Sequence, residues 1–328
     1  MPELNQVSET AHWVASYRAL EAEETSPLFI DPFAKSLAGE IGFSFLKKLP
    51  FAQKISSLFI VRTKVIDEII LELLYKQSNI KFVINIGAGL DTRPYRLAIP
   101  AYVTWIEIDQ ADILKFKHQA LQSQQPFCSV KYLHANFSIP TSNVASAAVN
   151  PTSNSDSSST DASTPSSKPE TPINPLKNIL ENELAQSSYF SSGEILFITE
   201  GLLPYLNRTE ILSLIDSISK TQGNRLYWIS DVVKPLLVTF LGYLWNPIFK
   251  KMNYQFQTGL KNTKDFENKQ FKVLKSYSLM ESLISYRREP PILKFFLFTT
   301  KFWWKPIRTW YFSQSRVCLF TKDNSHSL

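Results

Sequence analysis

Residues 87–92 read Gly-Ala-Gly-Leu-Asp-Thr and follow directly on a short apolar run, KFVINI at 81–86. Glycine lets a backbone approach a ligand closely, and a glycine turn after a first strand is where α/β proteins take up nucleotides. Asp109 closes a second apolar run, VTWIEID at 103–109, 22 residues after Gly87. A carboxylate at that spacing can accept hydrogen bonds from both hydroxyls of a ribose. A dinucleotide fingerprint has a third glycine, G-x-G-x-x-G, and here Thr92 holds that place. This weakens a pyrophosphate ligand. A nucleoside without phosphates, such as S-adenosylmethionine, fits better. Taken alone, the turn is also compatible with a purely structural role.

Other chemistries find little support. The histidines are His12, His118, His134 and His326, and no Ser-His-Asp arrangement or His/Cys cluster stands out. Hydrolase and metalloenzyme readings are therefore disfavoured. Cys128 and Cys318 lie far apart in sequence, which argues against a disulfide framework and for a reducing compartment.

The elements that would position the glycine turn alternate in type. Residues 8–23 read as a helix, as do 33–46. The span 62–75 has the cleanest apolar stripe: Val65, Ile66, Ile69, Ile70, Leu73 and Leu74. Strand-like runs follow at 81–86, 103–109, 130–136, 194–199 and 225–230. Helix-like stretches lie between them at 112–123, 176–185 and 209–220, the last with Asn207 or Thr209 as N-cap. Strands alternating with helices imply βαβ units and a parallel sheet. Near-continuous apolar strands suit a sheet covered on both faces.

With 328 residues the chain can hold one large domain or two smaller ones. Hydrophobic residues make up 44% and charged residues 20%, the balance of a globular protein. One segment departs from it. Within 151–172, 12 of 22 residues are Ser or Thr and four are Pro. Such a composition cannot bury enough apolar surface to offset its ordering entropy, so about 141–175 reads as a disordered surface insertion. No secretory signal is visible at the start of the sequence, and the longest uncharged apolar stretch, 235–249, is shorter than the ~20 residues needed to span a bilayer. A cytoplasmic protein is expected. Net charge is +6, but unevenly spread: from 250 onward there are 15 Lys/Arg against 5 Asp/Glu. Aromatics interleave with these, including Phe302, Trp303, Trp304, Trp310, Tyr311 and Phe312. Packed lysines that snorkel to water explain this pattern best. A peripheral membrane contact is the next reading, ahead of nucleic acid, for which no partner role is expected.

The wider pattern is more specific. INIGAGLDTRPYRL from Ile84 and WIEIDQADILKFK from Trp105 closely resemble the leucine carboxyl methyltransferase superfamily, which includes many bacterial S-adenosylmethionine-dependent O-methyltransferases. TAHWVASYRALEAEE with LFIDPFA, Arg62-Thr63 with Ile66-Asp67, and FITEGLLPYL from Phe197 match in the same order. The resemblance covers roughly residues 8–235, apart from the insertion. It implies an α/β, Rossmann-like class I methyltransferase fold: a seven-stranded, mostly parallel sheet with helical N-terminal and C-terminal caps. The corresponding division is an N-terminal helical lid at 1–78, a cofactor-binding core at 79–235, and a C-terminal cap at 236–328 that also supplies a final core strand.

By the same resemblance, S-adenosylmethionine is the cofactor. Arg62 reaches its carboxylate, Gly87 and Gly89 lie beside it, Asp109 binds the ribose, and Glu200 faces the methionyl part. The family's Asp-Leu pair at the adenine is Asn136-Phe137 here, a departure that loses a charge. Glu107 would support Asp109 or sit in a salt bridge. Arg93 and Arg96 read as ion-pair partners or as ligand contacts, and His12 and His134 as structural rather than as bases. The expected reaction is O-methylation of a carboxyl or hydroxyl group on a small, apolar or anionic acceptor. The alternatives are protein C-terminal carboxyl methylation, a nicotinamide-dependent oxidoreductase, and a non-catalytic protein that docks on membranes. The catalytic residues and the oligomeric state stay open at this point.

Overall fold

The computed structural model describes residues 9–76, 79–135, 193–250, 255–290, 310 and 312–324. Asn136, Phe137, the 141–175 insertion, the 176–185 stretch and most of the C-terminal aromatic run lie outside the described residues. Three helices come first: α1 (Glu9–Ala22), α2 (Ala34–Lys48) and α3 (Ala52–Lys76). The sheet strands are β1 (Ile80–Ile86), β2 (Thr104–Asp109), β3 (Ser129–His134), β4 (Glu194–Thr199), β5 (Arg225–Val233), β6 (Lys272–Ser278) and β7 (Ser315–Asp323). Between them lie α4 (Arg93–Arg96), α5 (Ala111–Leu121), α6 (Arg208–Ser219), α7 (Pro235–Phe249), α8 (Lys264–Glu267) and α9 (Leu279–Ser285).

The seven strands form one sheet in the order β3-β2-β1-β4-β5-β7-β6. The first five are parallel, and β7 runs antiparallel between β5 and β6. The expected mostly parallel sheet is therefore present. Strand order reverses at β1, with β2 on one side and β4 on the other. In open α/β sheets, ligands sit in the crevice at such a switch point, outside the carboxyl ends of the strands.

Alternation along β1 shows how both faces are buried. Val83 packs with α3 residues Val65, Ile66, Ile69 and Ile70 on one face. Ile84 and Ile86 pack with Ile211, Leu214, Ile215 and Ile218 of α6 on the other. β-branched strand residues thus fill two layers at once. Asn207 caps α6 as expected: its side chain accepts from the Glu210 amide while Glu210 accepts from the Asn207 amide.

Two elements run longer than their sequence pattern suggests. α3 begins at Ala52, ten residues before the span 62–75, because its first turns pack Ile55 and Phe59 under the caps, while Leu58 already reaches the sheet-side core. β5 extends to Val233 because β7 pairs along its whole length, from Arg225↔Asp323 to Val233↔Ser315. No described helix is long and apolar enough to cross a membrane.

The caps share an aromatic cluster of their own. Trp13 and Tyr17 of α1, Phe45 of α2, and Trp245 and Phe249 of α7 are buried together. Trp13 and Trp245 meet edge to face with centroids 5.2 Å apart. α1 and α2 cross so closely that a Cβ on Gly42 would clash with the His12 carbonyl group. Gly42→Ala must push α2 off α1 and is expected to cost about 1–3 kcal/mol. The exposed neighbour Glu40→Ala should stay within about 0.5 kcal/mol. Urea unfolding midpoints of the two variants check this difference.

Candidate active site

The carboxyl ends of β1, β2, β4 and β5 open into one cavity of about 1230 Å3. Arg62, Gly87, Gly89, Asp109 and Glu200, drawn from four separated segments, all line it. The site residues predicted within the described chain are therefore brought together. Asn136 and Phe137 lie outside the described residues.

The glycine turn is held by backbone and carboxylate. The Gly87 amide donates to the Ile108 carbonyl at 2.8 Å. The Gly89 amide donates to Asp109 Oδ2 at 2.6 Å, and the Gln110 amide to Asp109 Oδ1 at 2.7 Å. Gly87 and Gly89 have φ of 72° and 47°, left-handed values that favour glycine. Burial pushes the Asp109 carboxyl above its usual range, although both amides pull it down. Each Asp109 oxygen keeps a lone pair beyond these bonds, so a diol such as a ribose can still donate to it.

Beside the turn lies a buried ionic cluster. Arg62 on α3 places Nε 3.0 Å from Glu200 Oε1 and Nη1 3.0 Å from Asp231 Oδ2. Arg93 places Nε 2.6 Å from Asp67 Oδ1, Nη1 2.8 Å from Asp91 Oδ2 and Nη2 2.8 Å from Glu200 Oε2. Arg96 holds Asp67 through both terminal nitrogens, at 2.6 and 3.0 Å. The cluster is completed by Asn85 donating to Asp91 at 2.8 Å and the Gly201 amide donating to Asp231 at 2.9 Å. Burial alone would raise the Asp91 carboxyl, but Arg93, Lys117 and Arg96 hold it at about 2. Glu200 likewise sits below its usual range because Arg93 and Arg62 overcome its burial. Asp231 is raised by burial against the pull of Arg62 and the Gly201 amide. Arg93 and Arg96 thus serve as ion-pair partners that hold the turn, and both also line the cavity.

Glu107 does not share Asp109's hydrogen bonds. It is fully buried, with Oε2 2.6 Å from Lys117 Nζ of α5. Burial raises it to about 7 against the pull of Lys117. His12 is buried with Nδ1 2.7 Å from the Leu37 carbonyl oxygen, and burial lowers its pKa. His134 is exposed at the end of β3. Neither histidine lines the cavity, and no histidine, lysine or cysteine does among the described residues. The described residues contain no cluster able to hold a metal. Thr92, in the place of a third glycine, is buried and donates to Asp31 Oδ2 at 2.7 Å.

Asp231 and Asp67 were not legible as site residues. Asp231 lies at the end of β5, and only the strand order places it beside Glu200. Asp67 had a signal: it follows Arg62 by five residues on α3, within the stretch Arg62-Thr63 with Ile66-Asp67 that carries the family resemblance. Beyond the ionic cluster, the cavity wall is apolar, with Val14, Ile55, Leu58, Phe59, Phe256 and the α7 side chains.

The model of the leucine carboxyl methyltransferase family matches residues 11–219. A Mycobacterium tuberculosis protein named "Putative S-adenosyl-L-methionine-dependent methyltransferase" is 33% identical over 129 residues, covering 36% of this chain and 42% of that protein. A Mycobacterium bovis protein of the same name is 32% identical over 148 residues, covering 40% and 47%. The chain thus spans less than half the length of these curated relatives. A solved structure, a duf574 family protein from Streptomyces avermitilis, superposes with a TM-score of 0.54 at 10% identity, over 94% of this chain and 96% of that one. That likeness establishes a shared fold.

Arg93 is the group that the cluster can least lose. Arg93→Ala leaves Asp67, Asp91 and Glu200 buried around a missing cation, and is expected to destabilise the protein by about 3–5 kcal/mol. Arg208 holds Asp265 at 2.6 Å on the surface, so Arg208→Ala should cost less than about 1 kcal/mol. Urea unfolding of both variants measures the contrast.

Proposed function

Since this chain belongs to the leucine carboxyl methyltransferase family, we propose that it is an S-adenosyl-L-methionine-dependent O-methyltransferase acting on a carboxyl or hydroxyl group of a small-molecule acceptor. One observation carries the reading: Arg62, Gly87, Gly89, Asp109 and Glu200, far apart in sequence, converge on one cavity at the switch point of the sheet.

The residues fit the cofactor's charge. Three arginines (Arg62, Arg93, Arg96) face four carboxylates (Asp67, Asp91, Glu200, Asp231), leaving one net negative charge in the cluster. S-adenosylmethionine is a zwitterion with one additional sulfonium charge, so the two are complementary. Asp109 would take the ribose hydroxyls, Glu200 and Asp231 the ammonium side, and Arg62 the carboxylate. When bound, the cofactor supplies an electrophilic methyl group on sulfur. The chain's own part is alignment and exclusion of water from the acceptor.

The lining favours an acceptor that arrives already ionised. A carboxylate needs no base, whereas a hydroxyl or phenol does. The carboxylates that line the described cavity are bonded to arginines or amides, and no histidine or lysine lines it. The apolar wall selects a hydrophobic body behind that group. The activity, its acceptor and a cytoplasmic location rest on this proposal.

Calorimetric titration of the purified protein with S-adenosylmethionine and with its demethylated product tests the cofactor. Both are expected to bind, and Asp109→Ala should weaken binding at least about tenfold, the loss of one or two hydrogen bonds to a buried charge. Absence of binding to either ligand with the fold intact would refute the reading. Turnover on a panel of aliphatic and aromatic acids is expected. Turnover on a peptide carboxylate alone would replace the small-molecule acceptor with a protein one.

A further inference from the structure

Besides its side chains in the cavity wall, α7 presents an apolar face to solvent. Its sequence, PLLVTFLGYLWNPIF, contains no charged residue. One face is buried: Val238, Gly242, Trp245 and Phe249 pack into the caps. The opposite face carries Leu236, Phe240 and Tyr243 at successive turns, 59%, 56% and 82% exposed. A solvated helix face normally carries charged or polar side chains. This one presents a contiguous apolar ridge, which marks a docking surface.

The ridge is continuous with the cavity. Leu236, Phe240 and Tyr243 all line it, and so does Trp310, itself 50% exposed. Lysines bracket the helix: Lys234 stands at its N-cap, and the exposed Lys250 follows its last residue, with Lys251 next in sequence. From there to the end of the sequence basic residues outnumber acidic ones by 15 to 5. An apolar helix face with aromatic side chains and basic flanks is the pattern of a helix lying in a lipid interface, and α7 is too short to cross one. A second copy of the chain fits the ridge poorly, because two like-charged basic borders would be brought together.

We infer that α7 seats the protein on an anionic lipid surface, with Leu236, Phe240 and Tyr243 among the acyl chains and the cavity mouth turned toward the bilayer. If the methyltransferase reading holds, the acceptor is then an amphiphile that partitions into lipid and enters the cavity from it. The docking itself does not depend on that reading.

Co-sedimentation of the full chain with vesicles of phosphatidylcholine, with and without phosphatidylglycerol, tests the docking. Binding is expected to the anionic vesicles and to weaken as salt rises. The triple variant Leu236→Ser, Phe240→Ser, Tyr243→Ser should bind at least about tenfold more weakly. Leu212→Ser, which changes an exposed apolar residue on α6, should bind as the parent does. Should the triple variant lose its circular dichroism signal, Tyr243→Asp alone repeats the test at the most exposed position. Three results would overturn the inference: no binding to anionic vesicles, binding unchanged in a folded ridge variant, or a parent dimer in the ultracentrifuge that the variant converts to monomer. Calorimetry with S-adenosylmethionine runs alongside. Vesicle binding without cofactor binding would sink the methyltransferase reading and leave the docking standing.

Discussion

The ion pair between Asp67 and Arg93 is the contact on which the rest of the site depends. It ties α3 to the turn that follows β1, and Arg93 reaches on to Asp91 and Glu200. Through Glu200 the chain of contacts passes to Arg62, back on α3, and from there to Asp231 at the end of β5. Glu200 is the shared member. Taking these charges out of water costs free energy that their mutual attraction only partly offsets. Such a cluster is therefore a poor source of stability and a good source of position. It fixes the ends of β1, β4 and β5 relative to one helix, where an apolar contact of equal area would allow sliding.

The apolar parts carry the stability. The sheet is covered on both faces, with α3 and α6 as the principal covers. The caps form a separate aromatic cluster around Trp13 and Trp245, against which Ile55 and Phe59 of α3 also pack. This division leaves the space above the strand ends open. It also explains why an uncharged helix can sit there: one side of α7 is needed for the cap, and the other borders the cavity.

Much of this was legible in the sequence. The five parallel strands are β-branched runs bounded by turn residues, and the Gly87–Gly89 turn with Asp109 has the spacing that nucleoside sites require. The resemblance to a known family added Arg62 and Glu200, and the structure brings both to the same cavity. β6 was less visible. Its residues KVLKSYS are mostly exposed at the sheet edge, so no apolar run announces it. Asp231 was invisible for a different reason. Its partner Arg62 is 169 residues away, and only the strand order brings them together. Glu107 could be read either way, and the short contact to Lys117 settles it as an internal pair.

The link between the N-terminal helices and the glycine turn has its own consequence. Arg18 of α1 holds Asp31 at 2.8 Å and the Leu90 carbonyl at 2.6 Å, while Thr92 donates to the same Asp31. Leu90 and Thr92 belong to the turn, and α1 forms part of the cavity wall. Anything that tightens the turn therefore tightens α1, and by reciprocity the same free energy acts in the other direction. A ligand seated on the turn would complete the wall that the second ligand needs. On the proposed reading, each of the two ligands would then tighten the binding of the other by the same factor, whichever arrives first.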